Sequence, residues 1–471
     1  MSTLAKSSSF TFNGSTSFSI GGDVFNWSNR FILAIDIYAP SSSALKTATV
    51  SLAGSDWAIG TLRFVENVKA VINDSATGDS RSINNLFLDS PSGHDVTLVK
   101  TEVEAVVGGS GVEKFTSSSD YVGTVSLKGG NDIVSIKAGG VYYLNLGNGD
   151  NQLTVSGGYV GATVAYGGND KVTFTAGDAE TINLGGGNNV LKTTGGYVHT
   201  VISYGGNDTI SIGAGGAEAI LAGSGNNTIS TSSGEVTSIV THSGKDIINL
   251  GSGGAATVST GSGDDSVNLT PLEIDDTVVA LNGRSGVDTI SFAKFTSDVE
   301  VALNSGALID TSNGFFWIRS FENVTGGSGN DTLTGDDKAN VIKGGSGNDS
   351  LNGWFGLDVL TGGAGSDHFV FNRALSSANV DTITDFDVNS DTISLENSVF
   401  TALATAGTLS ASGFNKNLTG LAADSSDRVI YETDTGKLYY DQDGSGSAFS
   451  GVHFATLSPN LSLTNGDFLV I

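Results

Sequence analysis

Eight acid or amide residues recur at a spacing of nineteen without a slip: Asp132, Asn151, Asp170, Asn189, Asp208, Asn227, Asp246 and Asp265. Each follows a second polar residue: Asn131, Asp150, Asn169, Asn188, Asn207, Asn226, Lys245 and Asp264. Two residues after each anchor stands an apolar side chain, in the order Val134, Leu153, Val172, Leu191, Ile210, Ile229, Ile248 and Val267. A second inward position falls at Val141, Val160, Ala179, Val198, Ala217, Val236, Ala255 and Ile274. Nineteen residues are too many for one hairpin strand, and a fixed period of this size marks coils stacked on one another. The pattern predicts an all-β fold, a parallel β-roll or β-solenoid with two strands per coil and non-repeating β-rich caps at both ends.

One turn of each coil keeps a polar Gly-x-Asn-Asp form, as in Gly167-Gly-Asn-Asp170 and Gly205-Gly-Asn-Asp208. The opposite turn, as in Gly157-Gly-Tyr159-Val160, carries almost no ligand side chains. Asp and Asn alternate as anchors until the last pair. Two readings of Asp132, Asp170, Asp208, Asp246 and Asp265 stand side by side. They are metal ligands on one edge, or members of an amide ladder closed by hydrogen bonds alone.

Further along the spacing shortens to nine, at Asp331, Asn340, Asp349, Asp358 and Asp367. Three of these end glycine-rich hexamers, Gly326-Gly-Ser-Gly329-Asn-Asp331, Gly344-Gly-Ser-Gly347-Asn-Asp349 and Gly362-Gly-Ala-Gly365-Ser-Asp367. The apolar residues Leu333, Leu351 and Phe369 follow two positions later. Glycine permits the positive backbone angles of a tight turn and lets carbonyls face inward. Carbonyl and carboxylate oxygens are the hard ligands that calcium prefers, so several calcium ions are expected between successive turns. Residues eighteen apart stack, which puts Asp331, Asp349 and Asp367 on one edge and Asn340 and Asp358 on the other. The second edge has lost glycines (Gly353-Trp-Phe-Gly-Leu-Asp358, Gly335-Asp-Asp-Lys-Ala-Asn340) and predicts weaker sites.

Composition limits the partners. Lys+Arg 22 against Asp+Glu 49 gives a formal charge of −27, which repels nucleic acid and anionic membranes. With Cys 0, no disulfide staples the coils, and cations are the natural substitute. No run approaches the length of apolar chain that spans a bilayer, and the first ten residues show no apolar signal segment. Calcium sites of ordinary extracellular affinity point to a secreted, extracellular or cell-surface protein.

Five regions are expected: an N-terminal β domain or cap over 1–82, nineteen-residue coils over 83–270, a linking β region over 271–325, the nonapeptide roll over 326–370, and a C-terminal β cap over 371–471. Trp27, Arg30 and Trp57 lie in the first, as buried core or as a sugar contact. In the last, Asp385, Asp387, Asp391, Asp441 and Asp443 occupy acid-rich turns, as candidate calcium ligands or as ordinary solvated turns.

The 326–471 stretch resembles the RTX (repeats-in-toxin) proteins exported by bacterial type I secretion. The likeness rests on the nonapeptides, Thr384-Asp-Phe-Asp387, Tyr439-Tyr-Asp-Gln-Asp-Gly444 and the acidic-then-apolar end Asp467-Phe-Leu-Val-Ile471. It implies an uncleaved C-terminal secretion signal, passage through the type I machinery, and folding outside on calcium. Activity is not implied, because a fold hosts many functions. The five histidines are scattered, without His-Glu-x-x-His spacing. A Gly-x-Ser-x-Gly elbow is absent, and no Arg lies between 101 and 280 to neutralise a uronate. The expected function is therefore structural and not enzymatic: a homo-oligomeric surface layer or biofilm filament, with contacts to cell-surface glycan. The alternatives are a soluble secreted calcium-binding effector and a carbohydrate-binding adhesin.

Overall fold

The structure is a computed structural model. It describes residues 8–11, 16–20, 31–32, 35–38, 46–52, 58–65 and 68–74, then 82–471 except 273–277, 305, 307 and 312–313. Two compact units are present, 1–243 and 244–471.

In the first unit the period of nineteen becomes a parallel ladder. Val134 pairs with Leu153, Leu153 with Val172, Val172 with Leu191, Leu191 with Ile210 and Ile210 with Ile229. A second parallel sheet stacks Val122, Val141, Val160, Ala179, Val198, Ala217 and Val236. All of these side chains are buried. One-residue slippage would turn each column to solvent, so the apolar columns fix the register. Burying each Val, Leu or Ile contributes about 1.5–3 kcal/mol. Strands before residue 82 join the same arrangement. Lys46–Leu52 pairs in parallel with Val68–Asp74, and Ala58–Phe64 with Ser82–Leu88. Trp27, Arg30 and Trp57 lie outside the described residues, as does Ile274.

The second unit keeps the ladder while its spacing changes. Ile248 pairs with Val267, Val267 with Ile290, Ile290 with Val324, Val324 with Ile342 and Ile342 with Leu360. Residues 271–325, read from sequence as a link, thus carry two rungs of the same ladder. Their extra length includes an antiparallel hairpin, Leu308–Thr311 with Gly314–Arg319. On the other edge Leu333, Leu351 and Phe369 stack in register and continue to Ile393. At the C-terminal end the hairpin strands Val429–Glu432, Lys437–Tyr440 and Val452–Thr456 run antiparallel. An edge-to-face cluster of Phe371, Phe400, Tyr440 and Phe454 packs near them. The apolar terminus is folded in: Phe468–Val470 pairs in parallel with Thr392–Leu395, and Phe468 and Val470 are buried.

Close coil stacking puts glycine two residues before each of the eight nineteen-residue anchors. A Cβ on Gly168, which has φ +116°, would stand 2.2 Å from the carbonyl oxygen of Gly149 one coil earlier. Gly186 lies in the corresponding turn of the next coil, yet a Cβ there meets nothing within 4 Å. Gly168→Ala is expected to destabilise the first unit by about 1–3 kcal/mol. Gly186→Ala should stay within about 0.5 kcal/mol of the parent. Urea midpoints of the two variants test this, and equal midpoints would contradict the stacking argument.

Candidate metal centre

The buried side chains of Asp132, Asn151, Asp170, Asn189, Asp208, Asn227 and Asp265 each bond the backbone of the coil before them. Asn151 Oδ1 accepts from Asp132 N (3.0 Å), Asp170 Oδ1 from Asn151 N (2.8 Å), Asn189 Oδ1 from Asp170 N (2.9 Å) and Asp208 Oδ1 from Asn189 N (2.8 Å). The preceding residues form a second, exposed ladder of opposite direction. Asn131 Oδ1 accepts from Asp150 N (2.9 Å) and Asp150 Oδ1 from Asn169 N (2.7 Å). Paired ladders explain why both positions are polar in nearly every repeat. A backbone N–H at a buried turn has no water, so a side-chain oxygen must receive it.

The anchor's second polar atom separates Asn from Asp. Asn151 Nδ2 donates to Gly149 O (2.9 Å), and Asn189 Nδ2 donates to Gly187 O (3.0 Å) and to Asp208 Oδ1 (3.0 Å). Aspartate has only acceptors there. Oδ2 of Asp132, Asp170, Asp208, Asp265, Asp349, Asp358 and Asp367 is buried without a hydrogen-bond partner. Such an oxygen needs a proton or a cation.

The nonapeptide turns add a space for that cation. A Cβ on Gly344 would stand 2.3 Å from Asp349 Oδ2 and 2.6 Å from the Gly362 carbonyl oxygen. A Cβ on Gly326 would likewise stand 2.3 Å from Asp331 Oδ2 and 2.4 Å from Gly344 O. Asp331, Asp349, Asp367 and Asp391 follow one another, each accepting from the N–H of the preceding member, at 2.7, 2.9 and 3.0 Å for the last three. No amide intervenes. Burial, and then the charges of Asp331 and Asp367, push Asp349 up to about 7, while burial and the Asp391 charge also raise Asp367. Among the described residues no three His, Cys, Asp or Glu side chains gather into a metal cluster. Calcium would therefore draw on the carbonyls and carboxylates of adjoining turns, as its preference for oxygen allows. Asp331, Asp349 and Asp367, with the carbonyls around Gly326, Gly344 and Gly362, are the residues that fit it. Bound there, it supplies positive charge to a stack of buried carboxylates.

The other expected residues divide. Asn340 is closed by protein alone: Nδ2 donates to Glu322 O (2.7 Å) and Asp336 Oδ1 (3.0 Å), and Oδ1 accepts from Asp336 N (2.8 Å). Asp358 fits a cation better, since a Cβ on Gly353 would stand 2.2 Å from Asp358 Oδ2 and 2.9 Å from Asp381 Oδ2. Burial and the facing Asp381 carboxylate raise Asp358. Gly329, Gly347 and Gly365 serve coil stacking; a Cβ on Gly365 would stand 1.7 Å from Gly347 O. In the nineteen-residue turns no such space opens, because buried Leu127, Ala165 and Ser203 occupy the position five residues before Asp132, Asp170 and Asp208. Asp246 and Asp265 stack directly, Asp265 Oδ1 accepting from Asp246 N (2.7 Å).

Asp441 and Asp443 share a turn away from the ladders, Asp441 Oδ1 accepting from Asp443 N (3.2 Å) and Asp443 Oδ2 from Ala448 N (2.9 Å). Asp385 caps Gly362 N and Gly363 N, and Asp387 bonds Asn389. Sequence reading missed Asp288, Glu322 and Asp381 as ladder members. Their signal, Gly286-Val-Asp288-Thr-Ile290 for the first, has the anchor form; insertions moved it off the period.

A family model described as Peptidase M10 serralysin C terminal matches residues 273–452, and one described as RTX calcium-binding nonapeptide repeat (4 copies) matches 212–235. No curated protein matches the chain. Among solved structures, the extracellular lipase LipA from Serratia marcescens is similar over 58% of this chain and 44% of its own, at 16% identity and a TM-score of 0.16. The chain thus spans under half of that lipase, and a likeness of this size carries no argument. Fold, ladder and repeats together define a calcium-binding β-roll. The two family matches support an RTX protein and indicate that it is secreted. Among the described residues no helix is long and apolar enough to cross a membrane.

The buried acids set a pH dependence. Without metal, folded Asp349 holds its proton up to about 7, whereas an unfolded Asp loses it near 3.9. Between those values the folded state binds more protons, so stability falls as pH rises. Melting in chelator should therefore be highest in mild acid and decline toward pH of about 8, and saturating calcium should remove the decline. A melting temperature that climbs with pH in chelator would contradict this assignment.

Proposed function

We propose that the chain is a non-catalytic structural protein of the cell surface or extracellular matrix, a calcium-stiffened solenoid whose copies associate into a layer or filament. The observation that supports this reading is a row of tyrosines on the outer face of the first unit. Seven of the chain's eleven tyrosines fall between 121 and 204. Tyr142, Tyr166 and Tyr204 are 58, 58 and 65% exposed. The rings of Tyr121, Tyr142 and Tyr159 follow one another at 5.4 and 6.3 Å between centroids. Exposed aromatic rows mark interaction surfaces, and one polar end on each ring suits a wet contact. With a net charge of −27, copies repel until cations neutralise them.

Calcium then links folding to location. An ion that binds only the folded chain adds about 2.7 kcal/mol per site at a hundredfold excess over its Kd. Several sites rival the whole stability of a domain, so the nonapeptide block stays open where calcium is scarce and closes after export.

Electron microscopy of the purified protein should show lattices or filaments with calcium and dispersed particles in chelator. A Tyr142→Ser/Tyr166→Ser/Tyr204→Ser variant should keep its β circular-dichroism spectrum and lose assembly. Monomers under all conditions would sink the structural reading in favour of a soluble effector.

A further inference from the structure

We propose that a strip along one turn edge of the first unit, between Tyr166 and Asn207, binds an extended, uncharged polysaccharide. The proposal rests on the reading of the tyrosine face as an interaction surface, and it gives that face a partner other than a second copy. Tyr166 belongs to a column with one member per coil: Lys128, Gly147, Tyr166, Gly185, Tyr204, Gly223 and His242. A large side chain stands in every second coil, with glycine in the coils between. Lys128, Tyr166, Tyr204 and His242 are exposed, and Gly147, Gly185 and Gly223 are buried. Strands of neighbouring coils lie about 4.8 Å apart, so the two tyrosines repeat at about 10 Å. The Tyr204 ring is tethered: its hydroxyl accepts from Asn183 Nδ2 (3.4 Å), and Asn183 Oδ1 accepts from Gly185 N (3.0 Å). Tyr166 faces Tyr143, whose hydroxyl is raised by burial and then by the Tyr166 hydroxyl.

Three residues beyond each tyrosine stands an amide. Tyr166-Gly-Gly-Asn169 and Tyr204-Gly-Gly-Asn207 flank Gly185-Gly-Gly-Asn188, so only backbone lies between ring and amide. A Cβ on Gly186 meets nothing within 4 Å, which leaves that floor open. Asn169, Asn188 and Asn207 are exposed, and Oδ1 of each accepts from the next coil's N–H, at 2.8, 2.7 and 2.7 Å. Those bonds fix the amides, while their Nδ2 groups donate to no protein atom among the described residues. A pyranose has the complementary chemistry. Its apolar C–H face stacks on an aromatic ring, and its hydroxyls accept from amide donors. An extended β-linked chain presents the same face at every second sugar, a distance close to that between two coils. A polyanion is repelled by a chain of net charge −27, and the strip's tyrosines and asparagines hold no charge to attract a polycation.

Isothermal titration of the full chain with cellohexaose and chitohexaose, in calcium and in chelator, tests this. Chelator disperses the copies while the amide-anchored first unit keeps its fold, so binding is read apart from assembly. At least one hexamer should bind about tenfold or more tighter than its dimer, because linked contacts reinforce one another. Tyr166→Ser/Tyr204→Ser should weaken that binding about tenfold or more with an unchanged circular-dichroism spectrum. Asn188→Asp keeps the ladder acceptor, as Asp150 does naturally, and should weaken binding by removing a donor. Should the double serine variant fail to fold, Asn188→Asp decides. Hexamer binding without lattices would support this site and remove the layer. No hexamer binding by the parent, or binding untouched in the variants, would overturn the site. Lattices that need Tyr166 and Tyr204 in a parent that binds neither hexamer would assign the strip to a second copy and overturn it as well.

Discussion

Each coil of this protein buries an oxygen-bearing side chain to receive a backbone N–H from its neighbour, and the rest of the structure answers to that requirement. Parallel coils stack closely enough that glycine is needed in the turns, so the turn amides are shut off from water. The anchors Asp132 to Asn227 and Asp331 to Asp391 close those amides. An amide anchor ends the matter, since its Nδ2 returns to a turn carbonyl. A carboxylate anchor leaves a second buried oxygen to be balanced.

The chain balances it in two ways. In the first unit Asp alternates with Asn, so Asp170 and Asp208 each have amides above and below; Asp208 accepts from Asn189 through both backbone and side chain. In the nonapeptide block acid follows acid, and the glycine five residues before the anchor leaves room for a cation. The stretch matched at 212–235 belongs to the first kind, since its anchor Asn227 donates to Gly223 O and Gly225 O. Turn grammar and metal demand are therefore separable within one chain. The demand concentrates in the second unit, where excess negative charge would otherwise oppose packing.

Much of this was written in the spacing. The anchors, both apolar columns and the coil's two strands follow from the periods of nineteen and nine, because one turn chemistry repeated at fixed distance admits one register. Where insertions broke the distance, the reading failed for a physical reason. Asp288 and Asp381 obey the same local chemistry as Asp349, yet the chain between rungs lengthens, and stacking constrains only the rungs. The choice between metal and amide was also hidden. It depends on the residue five before the anchor, Leu127 or Ala165 in one block and Gly344 or Gly362 in the other, and that position matters only once two coils are brought together.

Hydrogen exchange on the full chain, with calcium and with chelator, tests the division of the ladder most directly. The account predicts that the amides of Asn151, Asp170 and Asn189 keep their protection in chelator while those of Asp331, Asp349 and Asp367 lose it. Equal loss in both blocks, or protection of the nonapeptide amides without calcium, would contradict it.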